Sequence, residues 1–153
     1  MKKPRIVFLP VPESLRGQLE NIHGDEELNG GNFLINQDIL IPVEIPPTME
    51  KIKSEEISPQ MILSGMLHVI KAGEKEQKWI EYYRNFVLAM RPGILEEFTK
   101  AAFIKAHNGD YDMAIWIFDV LCALFPPPSQ YDESLALSRA LVMELQFDDE
   151  SST

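Results

Sequence analysis

The sequence has one cysteine and three histidines in 153 residues, and this scarcity removes several kinds of site. A single thiol, Cys122, cannot form an internal disulfide, so nothing points to an oxidising compartment. His23, His68 and His107 have no metal-ligand spacing among themselves, and no CxxC pair is present. We therefore expect neither a metal nor another cofactor.

Positive charge is also scarce. There are 14 lysine and arginine residues against 24 aspartate and glutamate residues, and the formal net charge is −10. Phosphate backbones and anionic lipid surfaces repel an acidic chain. The composition therefore argues against nucleic-acid and membrane partners and favours a neutral or basic protein or peptide.

Long hydrophobic runs are missing. The longest apolar stretch, Ala114 to Phe125, is interrupted by Asp119 and is far shorter than a membrane span. The first 14 residues place a basic tip before an apolar patch, but Pro10 breaks the patch and no small-residue cleavage site follows. We predict a cytoplasmic protein.

Catalytic motifs are missing as well: there is no G-x-S-x-G, phosphate-binding glycine loop or dinucleotide fingerprint. Adjacent carboxylates such as Glu96 and Glu97 diverge by about 100° on a helix and cannot flank one substrate bond. Residues 108–119 imitate the oxygen spacing of a calcium loop, but Met113 stands where that loop needs glycine. We expect a protein that is not an enzyme.

Two regions follow each other along the chain. Residues 1–53 contain two β-type stretches, at 5–11 and 32–45, interrupted by prolines that restrict any sheet to a small, edge-like one. Residues 54–147 are predicted to be helical, because caps and breakers recur at short intervals. The predicted helices are 58–72, 75–90, 94–107, 110 to the prolines at 126–128, and 130–147. Residues 148–153 are predicted to form a disordered acidic tail.

A period of 34 residues relates Pro92 to Pro126. The segment that ends at the second proline carries small, aromatic and proline residues whose spacing matches the motif of one repeat family. They are Phe98, Ala101, Ala102, Ala114, Phe118 and Pro126. With the turn sequence NGDYDMA, residues 95–128 resemble one tetratricopeptide repeat. Lys105 departs from the tyrosine usual in that family.

Residues 58–92 resemble a degenerate copy of the same repeat, with Gly65 as its small contact residue. Ala102 and Ala114 are small enough to let two helices approach closely. The resemblance implies a mainly α fold: a short solenoid of antiparallel helix hairpins with about five helices and an extended or small-β N-terminal arm. We expect the apolar residues of the arm to pack on the helices. They are Ile6, Phe8, Phe33, Ile35, Ile39 and Ile41.

In the tetratricopeptide family, the first helix of each pair lines a concave groove that binds peptides or partner domains. The resemblance carries this role to eight residues. They are Glu96, Thr99, Phe103, Ala106 and His107 in the clear repeat, and Ile62, Met66 and Val69 in the degenerate one. Thr99 and Phe103 replace the polar residues that clamp acidic peptide tails, so a hydrophobic or extended peptide is expected. The alternative is that some of the eight are core residues covered by the arm.

The last predicted helix has more apolar residues than one packed face needs. We predict an association surface at Leu141 and Leu145, with self-association as the simplest case. The main hypothesis is a non-enzymatic interaction module or scaffold. One alternative is a tetratricopeptide-type chaperone for secreted proteins. Another is a ligand-binding or enzyme subunit with its site between the arm and the helices.

Overall fold

The computed structural model describes residues 5–13 and 35–151. Over these residues it has the predicted fold class, with five α-helices and one small two-stranded sheet. The elements are β1 (Arg5–Leu9), β2 (Ile41–Ile45), a 3-10 turn (Ser54–Glu56), α1 (Pro59–Ala72), α2 (Gln77–Met90), α3 (Ile94–His107), α4 (Tyr111–Leu124) and α5 (Asp132–Ser151). The chain divides into two compact units, Met1–Pro92 and Gly93–Thr153.

The first unit combines the sheet with α1 and α2. β1 and β2 pair in antiparallel fashion, with Arg5 opposite Ile45 and Leu9 opposite Ile41. β2 packs on α1, and its Ile41 and Val43 are fully buried. The sequence-based division at residue 53 therefore falls inside one compact unit.

The expectation that the arm packs on the helices is confirmed where the structure describes it. Ile41 is fully buried, and Ile6, Phe8, Ile35 and Ile39 are half-buried. Phe33 lies outside the described residues. Within residues 35–45, the regular pairing of the predicted strand covers only the five residues of β2, and residues 32–34 of that prediction lie outside the described residues.

Gly65 allows the close contact between α1 and β2. A Cβ atom on this residue would lie 2.5 Å from the carbonyl oxygen of Pro42. The prediction of Gly65 as a small contact residue is thus right about its size. Its close neighbour is the strand backbone, and this contact could not be inferred from a helix-hairpin pattern.

The predicted ends of α1 are confirmed. The Ser58 hydroxyl accepts a hydrogen bond from the Met61 amide at 3.2 Å, and proline follows at the first helical position. Gly73 ends the helix in the left-handed conformation, at φ 65°, where glycine has no steric penalty. α2 begins at Gln77, two residues later than predicted.

The second unit is built on the hairpin of α3 and α4. Three residues connect these helices, so the two run antiparallel. Gly109 has a φ of 83°, and the Asp110 carboxylate caps α4 by accepting from the Met113 amide at 3.3 Å. Ala102 and Ala114 are both fully buried in one apolar cluster, as their small size predicted.

α5 packs on α4 and is longer than predicted. Its inward residues Leu135 and Val142 are buried in the cluster of the second unit. The predicted end at residue 147 is wrong, because the helix continues through residues 148–151. The Tyr111 hydroxyl reaches the Asp149 carboxylate at 3.1 Å, which helps to hold the final turns against α4.

The helices were also compared with the dimensions of a lipid bilayer. Within residues 5–13 and 35–151, none combines the length and the apolar character needed to cross one.

Candidate functional site

A groove of about 350 Å³ lies between α3 and α5 in the second unit. α3 contributes one wall and α5 the other. The lining residues are Leu95, Glu96, Thr99 and Lys100 on α3, and Ser134, Leu135 and Ser138 on α5. On both helices they recur at intervals of three or four residues, which places each set on one helical face.

The groove has an apolar floor and a polar rim. Leu135 is buried, while Glu96 and Lys100 are exposed. The Thr99 hydroxyl donates to the Leu95 carbonyl at 2.6 Å, and the Ser134 hydroxyl donates to the carbonyl of Tyr131, the residue just before α5, at 3.1 Å. Since each hydroxyl proton is used in a local backbone hydrogen bond, the free lone pairs of these oxygens can accept hydrogen bonds from peptide N–H groups.

Of the predicted site residues on α3, Glu96 and Thr99 line the groove. His107 is exposed at the last residue of the helix and is not part of the groove wall. Phe103 is half-buried and packs edge-to-face on Phe118, with ring centroids 5.6 Å apart. Ala106 is buried in the apolar cluster. For Ala106 the site prediction is corrected, because its burial leaves no surface for a partner. For Phe103, which is partly exposed, it stays a prediction.

The site prediction is also corrected for two residues of α1, Ile62 and Met66, which are fully buried. Val69 is half-buried, and for it the prediction stays untested. Helical spacing places Ile62 and Val69 on the face of Gly65, which lies against the backbone of β2. A partner cannot reach Ile62 or Met66, because this face of α1 belongs to the core under the arm.

Four residues of the groove were not predicted: Lys100, Ser134, Leu135 and Ser138. The sequence analysis assigned α5 only to association. A usable signal was present, since Ser134 and Ser138 are four residues apart and lie on one face.

The first unit has a larger cavity, of about 510 Å³, between the end of β2 and α1. Pro46, Met49 and Met61 make much of its lining apolar. At one side the Ser64 hydroxyl donates a hydrogen bond to the Glu44 carboxylate, and His68 Nε2 lies 3.9 Å from the other carboxylate oxygen.

This polar cluster differs from a serine-histidine-acid triad. In a triad the hydroxyl donates to the imidazole, which then takes its proton. Here the hydroxyl of Ser64 donates to the carboxylate of Glu44 instead. The arrangement can bind a polar or cationic group.

A third cavity, of about 490 Å³, lies beside the aromatic residues of α2. Phe8, Trp79 and Tyr83 line it together with Asp38, Leu40 and Lys75. The Lys75 ammonium stands 4.3 Å from the Phe8 ring centroid, and the Tyr83 hydroxyl donates to the Leu40 carbonyl at 2.8 Å. Burial raises the pKa of Tyr83, and its hydroxyl donates the hydrogen bond that ties Leu40 of the arm to α2.

The three cavities were also considered against possible metal-binding residues and against known proteins. Within residues 5–13 and 35–151, no group of three or more His, Cys, Asp and Glu side chains is placed to hold a metal ion. Comparisons with protein-family models, with curated proteins and with solved structures find no match. The functional argument therefore rests on the geometry of the chain itself.

Proposed function

We propose that this protein is a non-enzymatic, cytoplasmic interaction module that binds a peptide segment of a partner protein in the groove between α3 and α5. The observation that carries this proposal is the groove itself, which joins Glu96 and Thr99 of α3 to Ser134 and Ser138 of α5.

The helix arrangement supports a tetratricopeptide-like reading of the second unit. α3 and α4 form a hairpin, each with a small residue, Ala102 or Ala114, buried in one apolar cluster, and α5 follows them. In that family, successive first helices line the peptide groove. In this chain α3 and α5 are separated by one helix, and the groove between them is lined by both.

The chemistry of the lining favours an extended segment with one apolar side chain. Leu95 and Leu135 offer apolar contact, and the Thr99 and Ser134 oxygens can accept backbone N–H groups. A volume near the lower end of the usual range for ligand sites suits a short segment rather than a large cofactor.

Site-specific photo-crosslinking tests the proposal. A photo-reactive amino acid is placed at Ser138 or Lys100 in the groove, or at the exposed Asp112 on α4 as the control. We expect the two groove positions to capture the same peptide of the same partner, and Asp112 not to capture it. Filling the groove with Thr99→Trp should remove that adduct. Equal capture from all three positions would rule out the groove as the binding site.

A ligand-binding role remains the second candidate, because the cavity between β2 and α1 lies where that alternative placed its site. Glu44 and Ser64 give it a polar side that a small cationic ligand could contact. A thermal-shift screen of small molecules distinguishes the two functions. A compound that stabilises the wild type but not the Glu44→Ala variant would support the ligand-binding role.

A further inference from the structure

α5 exposes a row of leucines that the packing of the second unit does not use. Leu137, Leu141 and Leu145 are 67%, 47% and 39% exposed. They follow one another at intervals of four residues and therefore form one stripe along the helix. The inward residues Leu135 and Val142 point away from this stripe, since successive residues turn by about 100°. We call these three residues the leucine stripe.

Negative charge borders the leucine stripe along its length. Glu133, Glu144 and Asp148 each lie three or four residues from one of the leucines, which makes them neighbours on the helix surface. Over residues 5–13 and 35–151, none of these three carboxylates forms a salt bridge. The one cation of α5, Arg139, is paired with Asp119 of α4 at 2.9 Å.

We infer that the leucine stripe docks a basic amphipathic helix of a partner protein. The site differs from the groove in its residues and in the ligand it fits. The stripe runs about 12 Å along α5, the length over which a second helix presents three apolar residues at the same spacing. Lysine or arginine beside those residues would face Glu133, Glu144 and Asp148, and such charge pairs fix both orientation and choice of partner.

Charge argues against two other occupants. A second copy of the chain would bring another α5, with six carboxylates and one arginine, against the same acidic border. The chain's own residues 14–34 contain Glu20, Asp25, Glu26 and Glu27 against one arginine, so their charge also has the wrong sign. A basic partner helix can bury the leucine stripe and pair its own positive charges with the carboxylates that border it.

The inference is tested with three synthetic helical peptides and the full chain. The peptides share one leucine face and differ only in the flanking residues, which are all lysine, all glutamine or all glutamate. Fluorescence anisotropy measures each dissociation constant. We expect the lysine peptide to bind at least about tenfold more tightly than the glutamate peptide, with the glutamine peptide between them. Raising the ionic strength should reduce the preference, because salt screens exposed charges.

The leucine stripe is located by a matched pair of variants. Leu141 and Met143 are 47% and 48% exposed on the same helix but on different sides of it. Leu141→Glu should raise the dissociation constant of the lysine peptide at least about tenfold, while Met143→Glu should leave that constant within about twofold of the wild-type value. Circular dichroism checks that both variants keep the helical content of the wild type.

Several results would overturn the inference. The first is equal binding of the three peptides, and the second is the absence of binding by any of them. The third is equal loss of affinity in the two variants.

Two further results would assign the leucine stripe to another occupant. Sedimentation of the wild type as a dimer that Leu141→Glu dissociates would assign the stripe to a second copy. Lysine-peptide binding that appears only after removal of residues 14–34 would assign it to that segment. The Thr99→Trp variant should not change peptide affinity, so the groove and the stripe can fail separately.

Discussion

At the scale of single residues, Gly65 is the position where two physical effects oppose each other most clearly. Alanine is a better helix former than glycine by about 1 kcal/mol, so Gly65→Ala would stabilise an isolated α1. In the folded chain its Cβ would lie 2.5 Å from the Pro42 carbonyl oxygen, well inside van der Waals contact. Overpacking of this kind typically costs about 1–3 kcal/mol, which exceeds the gain in helix propensity.

We therefore expect Gly65→Ala to lower the free energy of unfolding, as measured by urea denaturation. Gln60→Ala, on an exposed site of the same helix, serves as the control and should change stability by less than about 0.5 kcal/mol. A Gly65→Ala protein as stable as the wild type, or more stable, would show that β2 does not approach α1 at this point.

Cys122 offers a second prediction at this scale, since it is the one thiol in the sequence. Burial raises the pKa of the half-buried Cys122 thiol, and the nearby Asp119 carboxylate raises it further, while Arg139 opposes them. The reactive thiolate is therefore scarcer at neutral pH in the folded protein than in the unfolded chain.

The measurement is the rate of alkylation by iodoacetamide against pH. The pH at which the alkylation rate reaches half its maximum should be higher for the folded protein than for the protein in denaturant. Asp119→Asn removes one cause of the raised pKa and should move the midpoint downward. A folded midpoint at or below the unfolded one contradicts the environment described for Cys122.

At the scale of elements, the contact between α3 and α4 rests on Ala102 and Ala114, both fully buried. We expect Ala114→Trp to force these helices apart and to lower the free energy of unfolding by about 1–3 kcal/mol. Met113→Trp places the same side chain next to it on an exposed site and should have a small effect. Equal denaturation curves for the two variants would mean that α3 and α4 are not closely packed at Ala114.

How well each element was predicted depends on how local its determinants are. The ends of α1 and α3 follow from nearby caps and glycines, and the structure has them at the predicted residues. The final turns of α5 were missed, and in them Asp149 accepts a hydrogen bond from Tyr111, 38 residues away in sequence. The polar residues 148–150 look like a tail unless that contact is known.

The same distinction explains the candidate site. Glu96 and Thr99 were predicted from their place on the first helix of the clear repeat. Ile62 and Met66 were placed on an open surface by the same reasoning, but β2 covers that face of α1. Which strand covers which helix is a long-range property, and periodicity reports only that a face is apolar.

At the scale of the whole molecule, the arm belongs to the folding of the first unit. β2 contributes the fully buried side chains of Ile41 and Val43. Just before β2, the Leu40 carbonyl accepts a hydrogen bond from the Tyr83 hydroxyl of α2. Deletion of residues 1–50 would expose the apolar face of α1 that includes Ile62. Exposed apolar area of this kind lowers stability and promotes aggregation.

Hydrogen exchange of the truncated chain distinguishes a local from a general role of the arm. Because residues 1–92 and 93–153 are each compact through their own contacts, we expect the amides of α1 and α2 to lose protection while those of α3 and α4 keep most of theirs. The full chain, measured under the same conditions, is the reference. Unchanged protection in α1 would show the arm to be dispensable, and equal loss in α4 would show that the two units do not fold separately.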